Sequence, residues 1–282
     1  MIEVLKSGLY DTIQDLGRVG VQDYGIPYAG AMDLYSAKVA NTILGNPISH
    51  AVLEITIMGP KLKFNCSTEI ALSGADLSPN LNSKPIRMNT RVRIHKNDVL
   101  SFGTLNYGCR SYLAVNRGFQ TEFIMNSYSM YKDITRHFRL QKGDFLPVIA
   151  DNDSHDNELG SLKIDEDHFD VNEIEVFKGM EYNYLTELEQ ETLFSTQFTI
   201  SQDSNRMAYQ VNETIENKMM PITTSLVLPG TIQLTPSGKL LILMRDCQTT
   251  GGYPRILQVS EQSINQLSQK IFGEKFRLKC ID

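Results

Sequence analysis

The chain has 282 residues, of which 41% are hydrophobic and 21% charged, and this composition is typical of a globular protein with one large domain or two ordinary ones. Its formal net charge of −6 argues against nucleic acid or an anionic membrane as a partner, because both select basic surfaces. No apolar run approaches the ~20 residues that a membrane helix needs, and the N-terminus lacks a signal-peptide pattern. We therefore expect a cytoplasmic protein.

The cysteines and histidines show no pattern typical of a metal site. The four cysteines are scattered without a C-x-x-C pair, and free thiols are expected in a chain of this length without a secretory signal. The five histidines lack the spacing of known ligand motifs, so we predict no metal.

The N-terminal segment begins with a short predicted strand at residues 2–5 and continues into closely spaced glycines over residues 8–27, which favour an irregular loop. Asp15 and Arg18 lie three residues apart within it and suggest a fixed ion pair. Either the pair only braces the loop, or Arg18 receives a carboxylate or phosphate of a substrate.

A helix is predicted next, because apolar residues recur at 3.6-residue spacing from Leu34 to Leu44. Gly45 and Pro47 are typical of its end. Asp33 stands at its start, where a carboxylate caps free N–H groups and meets the positive end of the helix dipole.

Apolar residues then alternate with polar ones over residues 51–64, which predicts a β-hairpin with a turn at Gly59 and Pro60. Glu54 lies on the face opposite the isoleucines. It is a candidate base or ligand-orienting group if that face lines a cleft, although solvent is the default surrounding of a glutamate. Short runs with frequent turn residues indicate a barrel or sandwich, and further strands are expected at 70–72, 92–94, 99–102 and 112–115.

Residues 151–170 hold eight carboxylates against one lysine and predict a linker or surface loop. We therefore divide the chain into an N-terminal β lobe (1–150) and a C-terminal β lobe (171–282). Within the second lobe, Thr186 and Glu189 form a capping-box pattern, and a helix is expected from Ser260. Further strands are expected at residues 174–178, 198–201, 256–259 and 276–280.

The most distinctive segment lies near the C-terminus, between a buried apolar run at 240–244 and a strand at 256–259. It contains Gln248, two threonines and the adjacent pair Gly251 and Gly252, which allow close approach of a ligand or another chain. The alternative is a tight loop whose side chains bond to its own backbone. The chain has no P-loop, no dinucleotide fingerprint, no G-x-S-x-G elbow and no biotin-attachment sequence.

Several segments in order resemble the biotin-dependent carboxyltransferase family, also called allophanate hydrolase subunit 2 or KipA-like, which includes the C subunit of 5-oxoprolinase. These segments span nearly the whole chain, and the resemblance is greatest to those 5-oxoprolinase members. They are residues 12–18 (TIQDLGR), 30–33 (GAMD), 40–41 and 44–47, 53–56 (LEIT), 59–60, 73–75 (SGA), 204–207 (SNRM) and 248–254 (QTTGGYP).

The resemblance implies a mainly β fold with a few short helices, arranged as two cyclophilin-like β-barrel lobes. It implies a KipI-like partner, the B subunit of 5-oxoprolinase, and with a further A subunit the cleavage of 5-oxoproline to glutamate. ATP is used in that reaction, and it is shared with or supplied by the partner subunit. Two other roles remain open: a KipA-like regulator that antagonises a KipI-type kinase inhibitor, and a carboxyltransferase component that uses biotin carried by another chain.

The small anionic substrate implied by the family suggests roles for the residues in the matching segments. Asp15, Asp33 and Glu54 are predicted to orient the substrate or transfer protons. The predicted substrate-binding residues are Arg18, Asn205, Arg206, Tyr209, Gln248, Thr249, Thr250, Gly251, Gly252 and Tyr253.

Overall fold

A computed structural model describes residues 1–150 and 166–281. The chain divides into two compact units, the first made of Met1–Arg18 and Ala29–Asp165, the second of Val19–Tyr28 and Glu166–Asp282. Most of the predicted acidic linker at 151–170 lies outside the described residues. The mainly β fold in two β lobes, predicted from the sequence, is confirmed.

In the described part of the first unit, eleven strands form two antiparallel sheets. The six-stranded sheet has the order β11 (Phe145–Leu146), β1 (Ile2–Lys6), β4 (Lys61–Phe64), β9 (Val99–Ser101), β6 (Asn80–Leu81) and β7 (Lys84–Pro85). The five-stranded sheet has the order β2 (Tyr10–Gln14), β3 (Val52–Thr56), β10 (Tyr107–Val115), β5 (Thr68–Asp76) and β8 (Arg91–Ile94).

Two predictions for this unit are wrong. The segment 8–27 is not irregular throughout, because β2 pairs along its whole length with β3. The apolar residues of β2 are few, so alternation alone did not reveal it. The predicted hairpin at 51–64 is also wrong: its two strands exist, but β3 belongs to the five-stranded sheet and β4 to the six-stranded one. Ile57, with a φ of 59°, lies at the point where the chain leaves β3.

The main core of the first unit is built from side chains that point from both of its sheets into one hydrophobic cluster, such as Val4 and Phe64 from one sheet and Leu53 and Leu113 from the other. The helix α1 (Leu34–Leu44) covers the opposite face of the five-stranded sheet, where its alanines pack on residues of β5 and β10. Both faces of this sheet are therefore buried, and polar side chains on the helix-facing side are buried with it.

The described part of the second unit contains nine strands, two α-helices and three short 3-10 helices (Gln22–Tyr24, Glu166–His168 and Tyr182–Tyr184). Residues 225–226 and 250–251 form a separate two-stranded sheet of β15 (Ser225–Leu226) and β18 (Thr250–Gly251). The other seven strands have the order β13 (Phe198–Thr199), β20 (Lys275–Cys280), β12 (Glu173–Lys178), β19 (Arg255–Val259), β16 (Thr231–Leu234), β17 (Lys239–Leu243) and β14 (Ala208–Thr214).

Both α-helices of the second unit begin where the sequence predicts. Helix α2 (Glu187–Ser195) starts with the capping box of Thr186 and Glu189. Helix α3 (Glu261–Ser268) is capped by the Ser260 hydroxyl, which accepts the N–H of Ser263. Strand β20 lies between β13 and β12, inside the sheet and not at its edge, and it pairs in parallel with β12.

Candidate functional site

Asp15 is a buried anchor in the first unit. Its Oδ1 accepts hydrogen bonds from the hydroxyls of Ser127 and Ser129, each at 2.7 Å, and from the N–H of Gly17 at 2.8 Å. Its Oδ2 accepts the N–H of Tyr128 at 2.7 Å. Four donors converge on one carboxylate, so Asp15 holds the segment 127–129 against the end of β2.

Arg18 reaches the same segment. It is fully buried, and its Nη2 donates to the backbone oxygen of Ser129. Asp15 and Arg18 thus meet at residue 129, one through a hydroxyl and the other through a carbonyl. This geometry agrees with the bracing alternative, and a direct contact of Arg18 with a substrate stays a prediction.

Asp33 is the N-cap of α1, as its position in the sequence predicts. Its Oδ1 accepts the N–H of Ser36 at 3.0 Å, and its Oδ2 accepts the Ser36 hydroxyl at 2.6 Å. Its own N–H donates to the Tyr112 hydroxyl at 2.8 Å. Both carboxylate oxygens of Asp33 are thus occupied by hydrogen bonds at the start of the helix. A role of Asp33 in proton transfer stays a prediction.

Glu54 is fully buried, and the default expectation of a solvent-exposed glutamate is wrong. The reason is that α1 covers the face of the sheet to which Glu54 points. Its Oε2 accepts the N–H of Met32 at 2.7 Å and the hydroxyl of Tyr112 at 2.9 Å, while Arg110 Nε lies 3.8 Å from Oε1. Glu54 therefore fixes the backbone at residue 32 and is neutralised by a buried guanidinium.

In the second unit, Arg206 forms a bidentate ion pair with Asp246, with Nε and Nη2 donating at 2.8 and 2.9 Å. The backbone strengthens this link, since the N–H of Asp246 donates to the carbonyl of Arg206 at 3.0 Å. Asp246 immediately precedes the glycine-containing segment, so Arg206 anchors the start of that segment. Asn205, which is exposed, orders the turn by accepting the N–H of Met207 at 2.8 Å.

Tyr209 is buried, and its hydroxyl lies 3.4 Å from the backbone oxygens of Ser268 and Lys270 at the end of α3. Among the predicted binding residues of this unit, it is therefore the one with the least access to solvent. The structure places it in the body of the sheet.

The segment 248–253 does not fold back on itself. It pairs instead with residues 222–227: β18 with β15, Val227 N–H with the carbonyl of Thr249 at 3.1 Å, and Ile222 N–H with the carbonyl of Gly252 at 3.0 Å. Gln248 and Thr249 are half-buried, whereas Thr250 and Tyr253 are exposed. Thr250 and Tyr253 are therefore the residues of this segment best placed to contact a substrate or another chain.

The two adjacent glycines differ in what they allow. A Cβ on Gly251 would fall well inside van der Waals contact with the buried amide of Gln233, whereas a Cβ on Gly252 would meet its nearest neighbour, the carbonyl of Ile222, at an ordinary 3.6 Å. Neither residue has a positive φ. A side chain at position 251 would therefore displace the amide end of the Gln233 side chain.

Sequence reasoning missed Tyr112, Ser127, Ser129, Gln233 and Asp246. Each gains its role from a partner far away in the chain. Only the length of the run before Asp246 and its position at a strand end hinted at that residue. The predicted site residues fall into two sets, one in each unit.

Within residues 1–150 and 166–281, the structure brings together no group of three or more His, Cys, Asp or Glu side chains able to hold a metal ion. Over the same described residues, no helix is long and apolar enough to cross a membrane.

Comparison with known proteins identifies the family. The model of the carboxyltransferase domain, subdomain A and B, matches residues 24–280, and the chain belongs to this family. The match includes both sets of predicted site residues except Asp15 and Arg18.

Among individual proteins, the chain is 29% identical over 280 residues to the C subunit of 5-oxoprolinase from Escherichia coli (strain K12), covering 97% of this chain and 89% of that protein. It is 30% identical over 289 residues to the C subunit of 5-oxoprolinase from Haemophilus influenzae, covering 100% and 91%. It is also 41% identical over 130 residues to urea amidolyase of Lachancea kluyveri, covering 46% of this chain and 7% of that protein.

Among solved structures, the chain matches TTHA0988 with a TM-score of 0.87 at 23% identity. The match covers 99% of this chain but only 55% of the TTHA0988 chain, so this chain spans about half of that longer protein. At this identity the likeness supports a shared fold.

Proposed function

We propose that this chain is the C subunit of an ATP-dependent 5-oxoprolinase, in which it acts with a KipI-like B subunit and with an A subunit. The observation that carries the proposal is the similarity to two proteins named as C subunits of 5-oxoprolinase over 97% and 100% of this chain. Because 89% and 91% of those relatives are also covered, the similarity extends over both units and not over a shared module alone.

The chemistry explains why such an enzyme uses ATP. A lactam carbonyl is a poor electrophile, since its nitrogen donates electron density to it. Transfer of the terminal phosphoryl group of ATP to the lactam oxygen gives ADP and an activated ring. Addition of one water to that carbon and breakage of the ring C–N bond leave an acyl phosphate, and a second water hydrolyses the acyl phosphate to L-glutamate and inorganic phosphate. The intermediate is anionic, and fixed N–H and guanidinium donors stabilise such species.

The described side chains support a division of roles between the components of the enzyme. Arg18 is fully buried and Arg206 is paired with Asp246, so neither presents an open cation of the kind that holds a triphosphate. We therefore infer that the partner protein supplies the ATP site. Thr250 and Tyr253, exposed beside the fixed Gly251, are proposed to contact the lactam or the partner chain.

The test is ATP-dependent release of glutamate from 5-oxoproline by this chain mixed with the A and B subunits. Turnover is expected to require all three proteins and to fall at least about tenfold with Thr250→Val, which removes one exposed hydroxyl with little change in volume. Thr214→Val, at an exposed position on β14 in the same unit and outside the paired segments 222–227 and 248–253, is the matched control and is expected to retain activity. Turnover that persists when this chain is omitted would exclude the proposal.

A carboxyltransferase role is the second candidate, favoured by the 41% identity to urea amidolyase over 130 residues. It predicts that this chain restores urea carboxylation to a biotin-carrying urea carboxylase from which the carboxyltransferase domain has been removed. A stable complex with a KipI-like protein, without turnover in either assay, would instead favour the regulatory role.

A further inference from the structure

The first unit contains a pocket of about 430 Å³, and none of the predicted site residues lines it. It is bounded by residues 120–122, 128–130, 135–140 and 144–147, and we refer to it as the 120–147 pocket. Its volume lies within the range of roughly 300–1,000 Å³ typical of small-molecule sites. The pocket is built entirely from this one unit.

One wall of the pocket is held unusually firmly. This wall, which carries Tyr128 and Met130, includes the segment 127–129, which Asp15 fixes through three hydrogen bonds and Arg18 fixes through the carbonyl of Ser129. The carbonyl of Met130 accepts the Gln14 amide at 3.3 Å, and its N–H donates to the carbonyl of Ile13 at 2.8 Å.

Burying a carboxylate is unfavourable unless it is hydrogen-bonded, and the hydrogen bonds that offset this cost for Asp15 also order residues 127–129. A wall fixed before a ligand arrives lowers the entropy that binding must overcome. The buried groups singled out by the sequence thus give the 120–147 pocket a preorganised shape.

The lining specifies the chemistry of a ligand. Apolar surface comes from Met130, Leu140 and Leu146, and Tyr128 adds an aromatic face. The Oγ1 of Thr121 is buried and makes no hydrogen bond within the described structure, so it remains available to a polar group in the pocket.

The charge of the lining is negative. Glu122 and Asp144 contribute two carboxylates, His137 contributes an imidazole, and among its described lining residues the pocket has no lysine or arginine. Glu122 Oε2 accepts the N–H of Arg136 at 2.8 Å, which holds the carboxylate in place. An anion is therefore disfavoured, whereas a cation gains from the carboxylates and from the tyrosine ring.

We propose that the 120–147 pocket binds a small organic cation, a protonated amine attached to a compact apolar group, at a site distinct from the anionic-substrate site of the proposed function. The ammonium group is held by Glu122 and Asp144, and the apolar group packs on Met130 and Leu140. The inference does not depend on which activity the family member performs.

The test follows methionine methyl groups by NMR in the full chain labelled at the methionine methyl carbon, with benzylamine as the cationic probe and benzoate as an anion of the same ring size. Met130→Leu identifies the resonance of Met130. Benzylamine is expected to shift the Met130 methyl signal in a saturable way, and benzoate is expected to leave it unchanged. The signals of Met219 and Met220, which line a separate groove in the second unit, are the internal control.

Glu122→Gln keeps an oxygen to accept the Arg136 N–H but removes the charge, and it is expected to weaken benzylamine binding by at least about fivefold. Glu216→Gln, which lies in the other groove, is the matched control and is expected to leave binding unchanged. The proposal is overturned if benzylamine does not shift Met130, if benzoate shifts it equally, or if Glu122→Gln binds as tightly as the unaltered chain.

Discussion

Glu54 and Tyr112 face each other on the neighbouring strands β3 and β10, and the Tyr112 hydroxyl donates a hydrogen bond of 2.9 Å to Glu54 Oε2. The same hydroxyl accepts the N–H of Asp33 at 2.8 Å. Burial raises the pKa of Tyr112 well above its ordinary value, and the nearby Glu54 carboxylate raises it further. The hydroxyl therefore keeps its proton and links the sheet to the residue that caps α1.

Tyr112→Phe is expected to lower the free energy of unfolding of the first unit by about 1–3 kcal/mol, because it leaves the Asp33 N–H and one Glu54 oxygen without this partner. Urea unfolding measures the loss. Tyr107→Phe on the same strand, whose side chain is 42% exposed, is the control and is expected to change stability by less than about 0.5 kcal/mol. Equal effects of the two changes would show that the buried Tyr112 hydroxyl contributes no more to the free energy of unfolding than the exposed hydroxyl of Tyr107.

Asp15→Asn separates a structural role from a catalytic one. An amide cannot accept from all four donors, so we expect a loss of about 3 kcal/mol in the free energy of unfolding. Asp23→Asn, in an exposed position nearby in the chain, is expected to be neutral. Asp15→Asn with unchanged stability and abolished turnover would instead identify Asp15 as a residue of the reaction.

The buried carboxyl group of Asp11 should make the stability of the fold depend on pH. Burial raises its pKa from 3.8 to about 7, while the hydrogen bond from the Gly8 N–H at 2.5 Å opposes the shift. A raised folded-state pKa means that the stabilising protonated form is fully present below pH 3.8 and is lost as the pH rises through about 7. Ionised Asp11 therefore destabilises the fold at neutral and alkaline pH.

The measurement compares Asp11→Asn with the unaltered chain by thermal unfolding between about pH 4 and pH 8. The amide resembles the protonated carboxyl, so the variant is expected to be more stable than the unaltered chain near about pH 8. The difference in the free energy of unfolding is expected to be a few kcal/mol there and to vanish towards about pH 4. A difference that is constant across this pH range would contradict the shift.

The four cysteines are expected to react unequally with iodoacetamide. Cys247 is buried, and burial together with the nearby Asp246 carboxylate raises its pKa to about 12, so almost no thiolate is present at neutral pH. Mass spectrometry of the native protein should find modification at the partly exposed Cys66 and Cys280 before Cys247. In denaturant all four should react, and rapid native labelling of Cys247 would contradict its burial.

The adjacent glycines provide a matched pair of substitutions. Gly251→Ala is expected to displace the buried Gln233 amide and to cost about 1–3 kcal/mol of unfolding free energy, whereas Gly252→Ala should cost less than about 0.5 kcal/mol. Calorimetry of the two variants measures this contrast. If both alanines are tolerated equally, Gln233 does not require a glycine at 251.

Local patterns were sufficient for elements whose determinants lie within a few residues. Helix α1 has its cap, its apolar stripe and its terminating glycine within one short run, and the capping box at Thr186 and Glu189 is equally local. The strands β3 and β4 were recognised from alternation, but their assignment to different sheets depends on partners elsewhere in the chain. Alternation identifies a strand and not its neighbour.

The site depended on long-range contacts that no motif encodes. Asp15 meets Ser127 and Ser129 across 112 and 114 positions, and Arg206 meets Asp246 across 40. The burial of Glu54 follows from α1 covering that face of the sheet, and a pattern of alternating residues cannot distinguish a covered face from a solvated one. The sequence therefore identified several of the polar residues but not their surroundings.

The position of β20 between β13 and β12 has a consequence for how the protein is made. The second unit contains the early residues 19–28 and the very last strand. During synthesis its sheet remains incomplete, with open edges at β12 and β13, until β20 has left the ribosomal tunnel. A nascent chain stalled or truncated shortly before residue 275 would expose these edges to other unfinished chains, so deletion of β20 is expected to promote aggregation.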